Sequence, residues 1–446
     1  MRILLPLALL FELLALASRQ TLLSILSGVL LLIFFAWHWR SLMPYPRRLG
    51  MVTLALAAVW LALQQPTWEQ AARLSSSAAY YGAFVGALGL MHCLVERLPQ
   101  LGELHRLLLR GPRQLLYPGY LLSSFAISSI LSFGMLNLVC GSLDGHMRRQ
   151  RIEGRERREG MRGVMVTALR GYALVPLLAP TSVGVAILTR ELPGLTWAAL
   201  LPYGGLAALL LLALGWYAEN RRLQQLRPPP RDAEAEPLAP VASLGLVVLC
   251  SLLGIALIAA LAAFTWLSAT QAAMLLVPVA VALFLLVDSR SPRTAVSEIS
   301  DTTLGMRNEI FIFACSALVG GLIGLMVPIE QWVGDVSVTP LLLFLIGLFG
   351  MLGIMLLALV GVAPIISLSI CASLLAQLAG HGVDPLAPSV ALLAGFSLAM
   401  LISPYGASAL LLARYAQLSP WRVAVVWNGR FVLLALIPLG LLQLIV

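Results

Sequence analysis

The chain has 446 residues, of which 60% are hydrophobic and 11% charged, and a mean hydropathy of +0.93. That excludes a soluble globular domain and defines a polytopic membrane protein, since a bilayer span needs about 20 mostly apolar residues. The net charge of +9 is carried by arginine without a single lysine. It sits in short loops, where positive charge marks the cytoplasmic side, so it argues against a nucleic-acid partner and for the cytoplasmic (inner) membrane.

The five cysteines (Cys93, Cys140, Cys250, Cys315, Cys371) lie in apolar segments with no CxxC pair. They read as small hydrophobes, neither a disulfide framework nor a metal site. HExxH, P-loop and GxSxG patterns are absent, so no enzyme and no cofactor is expected.

The first apolar run, Ile3 to Ala17, ends like a signal peptide but contains Glu12 and leads directly into Thr21–Trp37. It is expected to be retained, giving an N-terminal hairpin over residues 1–49 with a basic, cytoplasmic loop at Trp37–Arg48. Spans follow near Met51–Leu63 and Ala78–Leu94. Leu101–Gly119 sets Leu at helical spacing with Arg between, which suits an interfacial amphipathic helix.

Tyr120–Leu143 is long enough to cross, yet both flanks are basic, and Met147–Arg162 is the strongest cytoplasmic signal in the chain. With both ends inside, it must enter and return as a re-entrant hairpin, placed at about 103–143. Its serines and glycine supply what non-helical backbone at depth requires. The alternative is an ordinary span with serine-mediated packing.

A helix broken at Pro180 is expected over 164–189, then the turn ELPG and a return span, Leu195–Ala218. Residues 219–240, with a triple proline and the run DAEAE, read as a cytoplasmic linker. Val241–Phe264 and Thr270–Val287 are plain spans (241–288), and Asp288–Glu309 is a polar internal loop. Ile310–Val327 leads to an acidic external loop, a second hairpin at about 339–380, a second broken helix at 388–413 and a last span to Val446. Residues 50–218 and 289–446 thus form two repeats of opposite orientation. The fold class is an all-α polytopic membrane protein of about 11–13 segments, each repeat holding a re-entrant hairpin and a Pro-broken helix.

Internal similarity supports the pairing. Leu177–Trp197 (LLAPTSVGVAILTRELPGLTW) overlays Leu401–Trp421 (LISPYGASALLLARYAQLSPW) without a gap. Pro180 meets Pro404, Arg190 meets Arg414, Trp197 meets Trp421 and, upstream, Gly171 meets Gly395. A proline within an apolar helix frees a carbonyl and strains the preceding turn, a defect tolerated in lipid only where protein, water or ligand faces it. Paired breaks in two halves point to a transporter's binding site; a pair of proline-kinked packing helices is the plainer alternative.

In architecture the chain resembles the ion transporter superfamily, which includes arsenite pumps, citrate and dicarboxylate carriers and some sodium/proton antiporters. The resemblance lies in LSFGMLNLVCGSL (131–143), LAPTSVGVAILTRELPG (178–194), VGVAPIISLSICASL (360–374) and ISPYGASALLLARYAQLSPWRV (402–423). It implies that hairpin tips and broken helices enclose substrate and coupling ion. Carried over by position, the binding residues are Ser132, Gly134, Asn137, Pro180, Thr181 and Ser182 in the first half. In the second they are Gly361, Ala363, Pro364, Ser367, Ser403, Pro404, Tyr405, Gly406 and Ser408. The resemblance also implies a homodimer and an elevator-like displacement of the hairpins and broken helices against a scaffold. The chain departs from the family at Phe133-Gly134, where many members carry Asn-Thr or Asn-Asp, and beside Pro364, where the usual Thr is missing.

Neither broken helix nor hairpin core contains Asp or Glu, whereas proton carriers commonly use an intramembrane carboxylate. Hydroxyls, carbonyls and helix N-termini suit Na⁺ and an anion instead. A secondary transporter for a small anionic solute, coupled to Na⁺ or H⁺ with Na⁺ as the lead ion, is the expected function. A membrane enzyme or assembly factor acting on lipid-linked substrates, or a non-transporting scaffold, is the alternative. Arg170 is expected to snorkel to the interface, with Arg190 and Arg414 as helix-end anchors and Trp197 and Trp421 in the aromatic belt. His92 and His381 are expected to be solvated or packed.

Overall fold

The computed structural model describes residues 3–95, 116–131, 134–149, 154–224, 241–289, 291–327, 329 and 339–446, and among these all regular structure is helical. Among the described residues, eight helices are long and apolar enough to cross a membrane, and four shorter apolar helices accompany them.

The first part of the chain forms α1 (Leu4–Ser18), α2 (Thr21–Trp37), α3 (Pro44–Leu63), α4 (Trp68–Gly89) and the short α5 (His92–Val95). α1 and α2 pack as a pair against α4. Thr67 and Gln70 cap α4 reciprocally through a capping box, satisfying two of the orphan amides at that end. Next come α6 (Leu116–Leu131), α7 (Gly134–Arg149), α8 (Gly154–Ala173), α9 (Val175–Leu178), α10 (Val183–Glu191) and α11 (Trp197–Gln224). The second part holds α12 (Val241–Phe264), α13 (Ala269–Ser289), α14 (Pro292–Gly305), α15 (Arg307–Met326), α16 (Pro340–Leu359) and α17 (Pro364–Gly380). α18 (Leu386–Ile402), α19 (Ala407–Ala416), a π-helical turn at Arg422–Val426 and α20 (Trp427–Leu441) complete the elements used below.

The two halves pack alike. α6 lies on α8, and α16 lies on α18. At each contact a glycine permits close approach. A Cβ on Gly171 would fall 2.5 Å from the Leu121 carbonyl oxygen, and one on Gly395 would fall 2.7 Å from the Met351 Cα. The two glycines that match in sequence therefore do the same packing work. The second arms cross over: α7 contacts α19, and α17 contacts α10.

Three expectations are corrected. Asp288–Glu309 is not a loop, because Pro292–Gly305 is helical; Pro292 at the first helical position is pre-set for it, and α14 packs on α1 and α13. The linker starts later than residue 219, since α11 continues to Gln224 with Glu219 buried. Arg170 does not snorkel: it is buried, its Nη2 lies 3.5 Å from Glu219 Oε1, and its guanidinium stands 3.8 Å over the Phe431 ring. A charge in the membrane persists where it is paired, and helix α11 supplies the partner. The amphipathic helix expected at Leu101–Gly119 lies outside the described residues as far as residue 115, as do 225–240 of the linker and 330–338 of the acidic loop.

Candidate functional site

Each proline lies in a short unwound segment between two helical pieces. The first helix stops at Leu178 and resumes at Val183; the second stops at Ile402 and resumes at Ala407. Residues 179–182 and 403–406 are thus non-helical, in register with the ungapped match in which Pro180 meets Pro404. Both prolines are buried.

Local chemistry explains how the chain restarts. The Ser182 hydroxyl accepts the amide of Gly184 at 3.1 Å, an N-cap that satisfies one orphan donor of α10. Gly406 occupies the equivalent position before α19 and donates its amide to the Ser403 carbonyl at 3.3 Å. Carbonyls freed at the breaks and at the hairpin ends are satisfied by side chains. Thr181 donates to the Ser129 carbonyl at 2.6 Å, in the last turn of α6. Ser403 donates to the Ala358 carbonyl at 3.2 Å, in the last turn of α16. Trp197 Nε1 donates to the Leu178 carbonyl at 3.1 Å. Trp197 is half-buried, and Trp421 is exposed.

The second hairpin tip spans 360–363. Gly361 has φ +101° and faces the Tyr405 ring, a backbone region that favours glycine. Ala363 caps α17 and donates its amide to the Tyr45 hydroxyl at 3.1 Å, with Pro364 at the first helical position. One turn on, Ser367 is buried with its hydroxyl unpartnered by protein. Ser408, one residue into α19, is also buried, while Tyr405 is exposed. Ser132 lies outside the described residues. Gly134 opens α7. Asn137 accepts the Tyr415 hydroxyl at 2.8 Å, so this candidate is committed to a bond with α19 and joins the two halves there.

The two breaks are held together. Ser397 of α18 donates to the Ala173 carbonyl of α8, and Gly184 at the start of α10 packs against Leu393 of α18 and Leu368 of α17. Three helix N-termini, those of α10, α17 and α19, therefore begin beside the unwound segments and their tips, and each carries a partial positive charge. His92 and His381 make local ring contacts to the Gly89 and Gln377 carbonyls.

A cavity of about 370 Å³ lies between α4, α10, α15 and α17, lined among others by Arg73, Ser77, Glu191, Gly321, Ser373 and Gln377. It sits at the end of the bundle where α4 begins and α10 ends, away from both prolines. Sequence reading missed two buried charge sites, the Arg170–Glu219 pair and Glu12. Glu219 was hidden by the basic, proline-rich stretch that follows it, and Glu12 was used only as evidence against a leader peptide.

This arrangement is an all-helical, multi-pass membrane fold built around two interrupted helices. The solved structure of the YdaH transporter of Alcanivorax borkumensis, described as having an unusual topology, has the same fold. The TM-score is 0.55 at 15% sequence identity, and the match covers 89% of this chain and 98% of that one. No protein-family model matches the chain, and no curated protein matches it by sequence.

Proposed function

We propose that the chain is a secondary active transporter that moves a small anionic solute across the cytoplasmic membrane by alternating access, coupled to Na⁺ or H⁺. The observation that carries this reading is the pair of unwound segments, 179–182 and 403–406, each bonded to the end of a hairpin arm and both held side by side. Backbone of this kind is tolerated at membrane depth where it lines a path or a site. The two halves act as inverted repeats. Thr181, Ser182, Gly361, Ala363, Ser367, Ser403, Tyr405, Gly406 and Ser408 line the solute and ion site with hydroxyls and backbone, while helix N-termini balance the anion.

The moving unit comprises the two hairpins and two broken helices, displaced elevator-fashion against α1–α4 and α13–α15, and two copies form the working dimer. Likeness of fold to a YdaH transporter supports the class of function; the solute and the coupling ion are argued from the residues alone.

Thermal unfolding of the purified protein tests this, in Na⁺ against K⁺, with citrate, succinate and arsenite as probes. A ligand at a hundred times its Kd adds about 2.7 kcal/mol to the native state. The expected result is stabilisation by one anion that disappears in Ser403→Ala and Pro404→Ala, both still folding cooperatively without ligand, Ser403→Ala at a lower midpoint because the Ala358 carbonyl loses its donor. If those variants instead lose folding outright, the breaks are packing kinks and the reading fails.

A further inference from the structure

One carboxylate stands apart from both breaks and has no part in the cycle so far. Glu12 is in the middle of α1 and 2% exposed. We propose that Glu12 is the proton-binding group that couples transport to a proton gradient, and that Arg190 at the end of the first broken helix sets its charge state. The proposal rests on the transport reading above and names its coupling ion.

A chain of hydrogen bonds carries it. Arg190 Nη2 donates to Ser76 Oγ at 3.2 Å, Ser76 and Ser24 hydroxyls are 2.8 Å apart, and Ser24 Oγ donates to Glu12 Oε2 at 2.8 Å. Because Ser24 spends its proton on Glu12, Ser76 must donate to Ser24. Every donor then points towards the carboxylate, the pattern an acceptor-only group requires. The chain ends at an exposed guanidinium, so it links a buried carboxylate to the surface through two hydroxyls.

The groups facing Glu12 are few. α2 brings Ser24, α4 brings Ser76 and Tyr80, and α10 brings Arg190, whose guanidinium stands 4.8 Å over the Tyr80 ring. α13 brings Thr270, 3.3 Å from the Tyr80 hydroxyl. α14 also packs on α1, and Arg190 is the charged group at the far end of the hydrogen-bond chain from Glu12.

Arg190 belongs to the unit proposed to move; Glu12, Ser24 and Ser76 belong to the scaffold. The neighbouring Glu191 accepts the Tyr81 hydroxyl of α4 at 3.0 Å, so a shift of α10 along α4 breaks both ties together. With Arg190 gone, a hydronium ion from the bulk gives its proton to Ser76 and leaves as water, while the Ser76 proton passes to Ser24 and that of Ser24 to Glu12. One O–H bond forms on the carboxylate, and each hydroxyl ends neutral. Return of Arg190 reverses the sequence and releases one proton to water. A merely structural glutamate would keep one protonation state across the pH range and would not respond to Arg190→Gln.

The test uses the full-length protein in lipid nanodiscs with the proton itself as probe. Infrared difference spectra are recorded over roughly pH 4–10 in the carboxylic-acid C=O region. The expected result is a band that disappears in Glu12→Gln and, in Arg190→Gln, persists to more alkaline pH by a unit or more. Should Glu12→Gln not fold, the Arg190→Gln arm still reads the native carboxyl, and Glu12→Asp must move the band's frequency. A band untouched by Glu12→Gln or Glu12→Asp, or a pH dependence unchanged by Arg190→Gln, overturns the proposal. No solute is present, so this titration can fail while the solute-dependent thermal shift succeeds, and the reverse.

Discussion

Replacing Glu219 by Gln should be among the most damaging single changes outside the breaks. Glu219 and Arg170 have side chains 6% and 3% exposed, with 3.5 Å between Oε1 and Nη2. Arg170 already has Nε and Nη1 buried without a hydrogen-bond partner. Its charge is therefore balanced mainly by Glu219 and the Phe431 face. Removing one member of such a pair leaves an uncompensated charge in a dry interior, at a cost of about 3–5 kcal/mol. Removing both at once leaves none, so Arg170→Met with Glu219→Leu should recover most of that loss. The assay is a double-mutant cycle of Arg170→Met, Glu219→Leu and the two together in chemical unfolding of the detergent-solubilised protein, with Glu219→Gln measured beside it. A coupling of about 2 kcal/mol or more is expected, within the range found for residues in contact. If Glu219→Gln costs less than about 0.5 kcal/mol, as surface changes do, the pair is solvated and the reasoning is wrong.

Other expectations follow from the same geometry. Gly395→Ala drives a Cβ to 2.7 Å from the Met351 Cα, so α16 and α18 must separate; overpacking of this kind costs about 1–3 kcal/mol, read as a lower midpoint in denaturant. Gly171→Ala should behave alike through the Leu121 carbonyl, and a neutral result at either site would separate the two halves. Trp197→Phe strands the Leu178 carbonyl and should cost about 1–3 kcal/mol, again measured by unfolding. Gly361→Ala forces a side chain onto φ +101° and should lower stability by about 1–2 kcal/mol, whereas Gly353→Ala, with open space around it in mid-helix, should be neutral or better.

Much of the fold was legible because its key features are local. Pro180 and Pro404 announce their own breaks: a proline removes one amide wherever it stands, and the flanking Thr181, Ser182, Ser403 and Gly406 are the residue types that restart helices. Gly171 and Gly395 kept the two halves in register without any knowledge of what they touch. Long-range pairing was not legible. Arg170 looked like an interfacial arginine because its partner is 49 positions away, on a helix whose end was masked by the basic residues after it. α14 escaped notice because its polar composition reads as loop, although Ser291 and Pro292 mark a helix start. Of the candidate site, the break residues stand where hairpin ends and helix starts meet; Asn137 is turned to Tyr415 by a bond that spacing alone does not reveal.

The crossing of the two halves sets an order of events at the ribosome. α10 leans on α17 and α18, and the chain between Glu191 and Pro364 must be made before that support exists. At about 5–20 residues per second, synthesis of that interval takes roughly 10–35 s. Through that interval the first unwound segment sits in the bilayer with its near-sequence bonds alone, Trp197 on the Leu178 carbonyl and the Thr181 hydroxyl on the Ser129 carbonyl, and without the packing of α17 and α18. The nascent first half is thus a client for whatever shelters incomplete membrane proteins, and the moment of greatest exposure falls midway through translation rather than at its end.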